Sequence, residues 1–205
     1  MKKVNLDITH RCTLKCPRCL RQYYHNNSLK VPGQDITFDE YKKIISFFKY
    51  INFCGNISDP VFNPNFIDFL KLNYKLNIKC EISTAATGKS LKWYKEAFLS
   101  NPDAKWIFGL DGYPEDSNQY RINQDGEILF ETMKMCSNMG LNTYWRMIVF
   151  KYNENDIEEC KKLANHYNIN FELIKSSRFT KNDSLKPTTH YIKRNYEKDI
   201  SKMSI

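Results

Sequence analysis

Three cysteines, Cys12, Cys16 and Cys19, stand within Asp7-Ile8-Thr9-His10-Arg11-Cys12-Thr13-Leu14-Lys15-Cys16-Pro17-Arg18-Cys19, directly after a short apolar run. A CxxxCxxC spacing supplies three soft thiolate ligands and no fourth. A cubane iron–sulfur cluster held in this way keeps one iron without a protein thiolate, and an open coordination site is where a small molecule meets the metal. The chemistry suggested is catalytic. A zinc knuckle is the alternative, with His10 or His25 as fourth ligand, but structural zinc sites usually pair two ligand hairpins a dozen or more residues apart. Neither a second CxxC nor an HxxxH occurs.

A disulfide framework fits poorly. The count of seven cysteines is odd, and Cys54, Cys80, Cys136 and Cys160 are scattered. The last two fall in helical patterns and read as small buried apolar residues. Reduced thiols and no apolar signal segment lead to the expectation of a cytoplasmic protein.

The elements that must position the cysteines follow from periodicity. Short β-type runs alternate with helical patterns, which predicts parallel strands covered by helices. The strands expected are Val4–Thr9, Tyr50–Cys54, Ile78–Thr84, Trp106–Asp111, Thr143–Phe150 and Ile169–Ile174. Between them, Thr37-Phe38-Asp39-Glu40 forms a capping box, and Asn63-Pro64, Ser90, Asp125 and Asn153 are the other helix starts, with Gly140 as a stop. Right-handed βαβ connections place the strand C-termini on one edge, where successive loops converge. The 205 residues, 41% hydrophobic, suffice for one substantial core. The net charge of +8 is spread along the chain with no arginine–aromatic cluster, so nucleic acid is not the expected partner. No apolar run approaches the roughly 20 residues of a membrane span.

The cysteine segment resembles the radical S-adenosylmethionine (SAM) superfamily, and the resemblance extends over residues 4 to about 174. It implies a partial (βα)6 TIM-like barrel, a [4Fe-4S] cluster on Cys12, Cys16 and Cys19, and SAM chelated to the open iron. It further implies one-electron cleavage of SAM to a 5′-deoxyadenosyl radical that abstracts hydrogen from a substrate. Phe53-Cys54-Gly55-Asn56-Ile57-Ser58-Asp59-Pro60 resembles the Gly-Gly-Glu-Pro motif that binds the SAM ammonium. Asp59 stands for the glutamate, Ser58 for a glycine, and Asn56 lies in the same stretch. Ile82-Ser83-Thr84-Ala85-Ala86-Thr87-Gly88 resembles the Ser/Thr-Asn-Gly strand end, with the hydroxyls of Ser83 and Thr84 directed at ribose or carboxylate. Loop hydroxyls without a ligand are the plain alternative.

Phe108-Gly109-Leu110-Asp111-Gly112, followed by Tyr120-Arg121, resembles the Ser-Leu-Asp-Gly and Tyr-Arg elements of peptide-modifying and sulfatase-maturating members. By that analogy Arg121 binds the SAM carboxylate, Asp111 lines the pocket, and Gly109 replaces a serine. The other reading makes Arg121 a surface arginine paired with Asp116 or Asp125. Arg18 stands where an aromatic or aliphatic residue is usual, and its guanidinium can stack on adenine. Arg146 lies in an alternating strand: facing inward it needs an anion such as the SAM carboxylate or an acidic substrate, and facing outward it would meet a helix carboxylate.

Residues 1–175 are thus expected to form the barrel and 176–205 a basic tail with a helix after Pro187. A flavodoxin- or ferredoxin-type electron donor is implied; the substrate could be a peptide, a nucleotide or sugar-derived. Departures at Ser58, Ala85 and Gly109 keep a second class in view, a barrel that binds SAM or a partner without turnover. A zinc-containing nucleic-acid-binding protein is the third.

Overall fold

A computed structural model of the chain describes residues 2–85, 88–180 and 182–189. The order of elements is β1 (Lys3–Leu6), α1 (Leu20–Asn26), α2 (Phe38–Ile45), β2 (Tyr50–Phe53), α3 (Phe66–Lys75), β3 (Lys79–Thr84), α4 (Leu91–Ser100), β4 (Lys105–Gly109), α5 (Gly126–Asn138), β5 (Asn142–Ile148), α6 (Ile157–His166) and β6 (Asn170–Ile174). The six strands pair in parallel in sequence order, with β1 and β6 as open edges. This is the expected partial barrel of alternating strands and helices.

Alternation sorts the strand residues onto two faces. Ile51, Phe53, Ile82, Trp106, Phe108, Trp145 and Met147 are buried against the helices. There Phe98 of α4 meets Trp106 edge-on at 4.9 Å, and Tyr41 of α2 stacks on Phe69 of α3 at 4.1 Å. The opposite, concave face is polar. Asn52 donates to Asn5 at 3.0 Å, Glu81 lies between Lys3 and Lys105 at 3.2 Å from each, and Arg146 bonds Glu172 at 2.9 Å.

Most helix starts follow their caps. Thr37 and Glu40 complete the capping box of α2, Ser90 accepts from Trp93 N–H ahead of α4, and Asp125 accepts from Ile128 N–H ahead of α5. Gly140 ends that helix at φ +79°. Three boundaries differ from expectation. β1 stops at Leu6 because the Asp7 and Thr9 side chains bond to loops: Asp7 accepts from the backbone at Asn56, and Thr9 donates to Asp35. The helix expected from Asn63 begins at Phe66, since Asn63 is spent holding the Ile8 and Ile36 carbonyls. The one expected from Asn153 begins at Ile157, because Asn153 closes the turn after β5 by accepting from Phe150 N–H. The stretch after Pro187 expected to be helical lies almost wholly outside the described residues.

Candidate cofactor site

The cysteine loop crosses the C-terminal edge of the sheet and is tied to the loops beyond β2 and β4. The Arg11 carbonyl accepts from Asp59 N–H at 2.9 Å, Lys15 N–H donates to the Ile122 carbonyl at 3.0 Å, and Asn123 Nδ2 donates to the Thr13 carbonyl at 3.2 Å. Cys19 N–H closes a turn on the Cys16 carbonyl, and Cys19 is the residue from which α1 springs. All three cysteines are free thiols and half-buried.

The loop after β2 is shaped by a residue that sequence reasoning passed over. Asp7 accepts from Asn56 N–H at 3.0 Å and Ile57 N–H at 3.4 Å, and the Ser58 hydroxyl donates to the same carboxylate. The curl is tight enough that a Cβ on Gly55 would lie 1.8 Å from the Ser58 carbonyl oxygen, so only glycine fits. Ser58 is therefore turned toward Asp7. Asn56 offers its carbonyl to the Cys19 thiol at 4.0 Å.

Asp59 is buried at the junction of β2 and β3. Its carboxylate accepts from Thr84 Oγ1 at 2.8 and 3.0 Å, from Ala85 N–H at 2.8 Å and from Val61 N–H at 3.3 Å. Burial raises its pKa while these donors, and the Arg121 charge, oppose the shift. Thr84 thus points at Asp59, on the helix side of the sheet, whereas its neighbour Ser83 shares the concave face with Ile107. Gln124, also unflagged by sequence, donates from Nε2 to the carbonyls of Ala85 at 3.0 Å and Gly109 at 2.9 Å, pinning the ends of β3 and β4.

Asp111 and Arg121 come together as a buried fork, with Nε to Oδ2 at 2.8 Å and Nη2 to Oδ1 at 3.3 Å. Neither Asp116 nor Asp125 takes the arginine. Asp111 also accepts from Ile148 N–H at 2.8 Å, which joins the β4 and β5 ends. Burial works against the Arg121 charge, but Asp111 and the nearby Cys16 hold its pKa above the ordinary value. The guanidinium lies over Gly109: a Cβ there would come within 2.8 Å of Nη2. Gly109 clears space for Arg121, a reason invisible in the linear motif.

Arg146 faces the concave side, in one row with Gly109 and Glu172, and Glu172 supplies its anion. Arg18 pairs with the buried carboxylate of Asp183, from the segment after β6. That segment packs Phe179 against Tyr120 and Phe150, and Lys151 N–H donates to the Leu185 carbonyl at 2.9 Å.

Among the described residues, no three His, Cys, Asp or Glu side chains gather closely enough to share a single ion. A cubane takes each thiolate on a different iron, so three spaced thiols on one loop suit it. Burial pushes the Cys12 thiol up to about 12 and Cys16 to about 11, the latter against the pull of Arg121. Thiolates there call for a compensating cation such as a metal cluster. The donor set fits an iron–sulfur cluster.

No family model matches the chain. Over 124 residues it is 29% identical to the tungsten-containing aldehyde ferredoxin oxidoreductase cofactor-modifying protein of Pyrococcus furiosus, a match covering 58% of this chain and 33% of that protein. Streptococcus suis SuiB bound to S-adenosylmethionine superposes with a TM-score of 0.72 at 14% identity, covering 91% of this chain and 43% of SuiB. Native anSMEcpe with AdoMet and a peptide bound gives 0.63 at 16%, over 84% of this chain and 50% of that one. Methylornithine synthase (PylB) gives 0.61 at 14%, over 84% and 52%. The chain spans a third of the curated relative and about half or less of these solved chains. The three solved neighbours are radical SAM enzymes, and this chain shares their partial-barrel fold.

Proposed function

We propose that the chain is a radical SAM enzyme that acts on a peptide. Cys12, Cys16 and Cys19 would hold one [4Fe-4S] cluster and the loops beyond β2, β3 and β4 would seat SAM. Bound together, these cofactors supply reductive SAM cleavage and hydrogen-atom abstraction from the substrate. The observation that carries the reading is the pinning of the cysteine loop, through Asp59 and Ile122, onto the strand ends that also bring Arg121 beside Cys16.

The chain's own residues divide into contacts and braces. Arg121, oriented by Asp111, keeps N–H donors beyond those the fork uses, which suits the SAM carboxylate. Asp59 and Thr84 satisfy one another and act by fixing the β2 and β3 ends. Ser58 and Asn56 act through the Asp7-held loop, and Ser83 and Arg146 line the concave side. Arg18, paired with Asp183 and partly exposed, would stack its guanidinium on adenine. The electron donor would be a flavodoxin or ferredoxin. A peptide substrate is favoured because one neighbour was solved bound to its precursor peptide and another with a peptide.

Anaerobic iron–sulfur reconstitution of the wild type and of a Cys12/Cys16/Cys19→Ala variant, then dithionite and SAM, tests the proposal. The expected result is a triplet-dependent cluster of about four irons per chain, with 5′-deoxyadenosine formed. A cluster without 5′-deoxyadenosine would leave a SAM-binding barrel without turnover. Bound zinc and no cluster would sink the reading.

A further inference from the structure

Given the proposed function, we infer that the surface formed by the cysteine loop and α1 docks an acidic one-electron donor protein, one presenting a low-potential flavin or iron–sulfur centre. The first observation is charge. Residues 8–34 contain no aspartate or glutamate but carry Arg11, Lys15, Arg18, Arg21 and Lys30. The carboxylates that neutralise Arg11 and Arg18 come from outside the stretch, Asp35 and Asp183. Arg21 donates to the His10 carbonyl, and Lys15 and Lys30 are exposed and make no ion pair among the described residues.

The second observation is packing. The helices α2 to α6 each bury a face against the sheet or a neighbouring helix, as amphipathic helices do, whereas α1 buries none of its seven residues. Leu20 and Tyr23, three apart and so on one face, are 52% and 57% exposed, and Leu29 just beyond is 50% exposed. Exposed apolar side chains on a stretch whose charged residues are all cationic complement an acidic partner that also offers apolar contacts. The third is position: α1 begins immediately after Cys19, so a partner seated there brings its redox centre next to the ligand loop. One electron would pass from the donor's reduced centre, a flavin hydroquinone becoming a semiquinone, to the oxidised cluster.

The test uses reconstituted chain, an acidic flavodoxin in its hydroquinone state, and dithionite as a reductant small enough to need no docking. Cluster bleaching is followed by stopped flow, and binding by flavin anisotropy on both apo and reconstituted protein. A Lys15→Glu/Lys30→Glu variant and a Tyr23→Ser variant are compared with Lys92→Glu on α4. For the double variant at low salt, flavodoxin-driven bleaching, taken relative to the dithionite-driven bleaching of the same variant, should slow by about ten- to a hundredfold, and the gap should narrow with added salt. Tyr23→Ser should weaken anisotropy binding at every salt concentration, and Lys92→Glu should change nothing. Equal flavodoxin rates and anisotropy in wild type and double variant would overturn the inference. So would loss of self-association, or of binding to an RNA oligonucleotide, with flavodoxin binding intact. A chain that forms no cluster would instead defeat the function proposed above, and anisotropy on the apo protein would still decide the docking.

Discussion

The two faces of the one sheet are built by the same alternating strands and obey opposite rules. The helix-covered face is a dry aromatic core, with Trp106 fully buried among Phe66, Phe98 and Phe108. The concave face carries amides, lysines and carboxylates paired sideways across neighbouring strands: Asn5 with Asn52, Lys3 and Lys105 with Glu81, Arg146 with Glu172. One face accounts for the fold's stability. The other, partly solvated and capped by the cysteine loop, has room for chemistry. Between them at the strand ends lie the buried groups Asp59, Asp111 and Arg121, belonging to neither rule.

The contrast sets the size of mutational effects. Trp106→Ala should cost about 3–5 kcal/mol in chemical denaturation, because a large core side chain leaves a cavity that rigid neighbours do not fill. An effect below 1 kcal/mol would contradict the dry-core description. At the boundary, Arg121→Ala strands the buried Asp111 carboxylate and should also cost about 3–5 kcal/mol. Arg121→Ala/Asp111→Ala should recover part of that loss, a coupling measurable by a double-mutant cycle.

A pH series probes the core differently. Burial pushes the Cys80 thiol up to about 12. Because the charged thiolate is disfavoured in the folded chain, this contribution is present below about pH 9 and is lost as pH rises towards 12. Between pH 9 and 10 the loss is about 1 kcal/mol. Wild-type apo protein should therefore lose more stability over that interval than Cys80→Ala; parallel curves would count against the assignment. On the concave side, Glu81→Gln removes two ion pairs and should shift stability by no more than about 1 kcal/mol. A larger loss would mean that the concave face is drier than its exposure indicates.

The sequence made the architecture legible because period-2 runs, capping boxes and turn residues are local signals, and six strands stand where periodicity put them to within a few residues. The cysteine loop was legible for the same reason. The braces of the site were not. The bond from Asp7 to the loop at 56–58, the Arg18–Asp183 pair and the Gln124 staple join residues about 15 to 165 apart in sequence, and nothing in either local context marks the partner. The Asp111–Arg121 fork was half legible: both residues stood out, but as separate ligands of a cofactor rather than as partners of each other. The exposed helix α1 was missed because its apolar face, Leu20 with Tyr23, spans a single turn and gives no sustained periodic signal.

The glycine under the Arg121 guanidinium also bears on how such chains diverge. Volume that a serine side chain would fill at position 109 is here filled from position 121, across the loop. The two sites then share one space and cannot drift independently: a larger residue at 109 becomes tolerable only with a shorter or redirected one at 121. Among descendants of this sequence the pair should change together or stay fixed together, so that a motif scored one column at a time records a defect where the three-dimensional packing records an exchange.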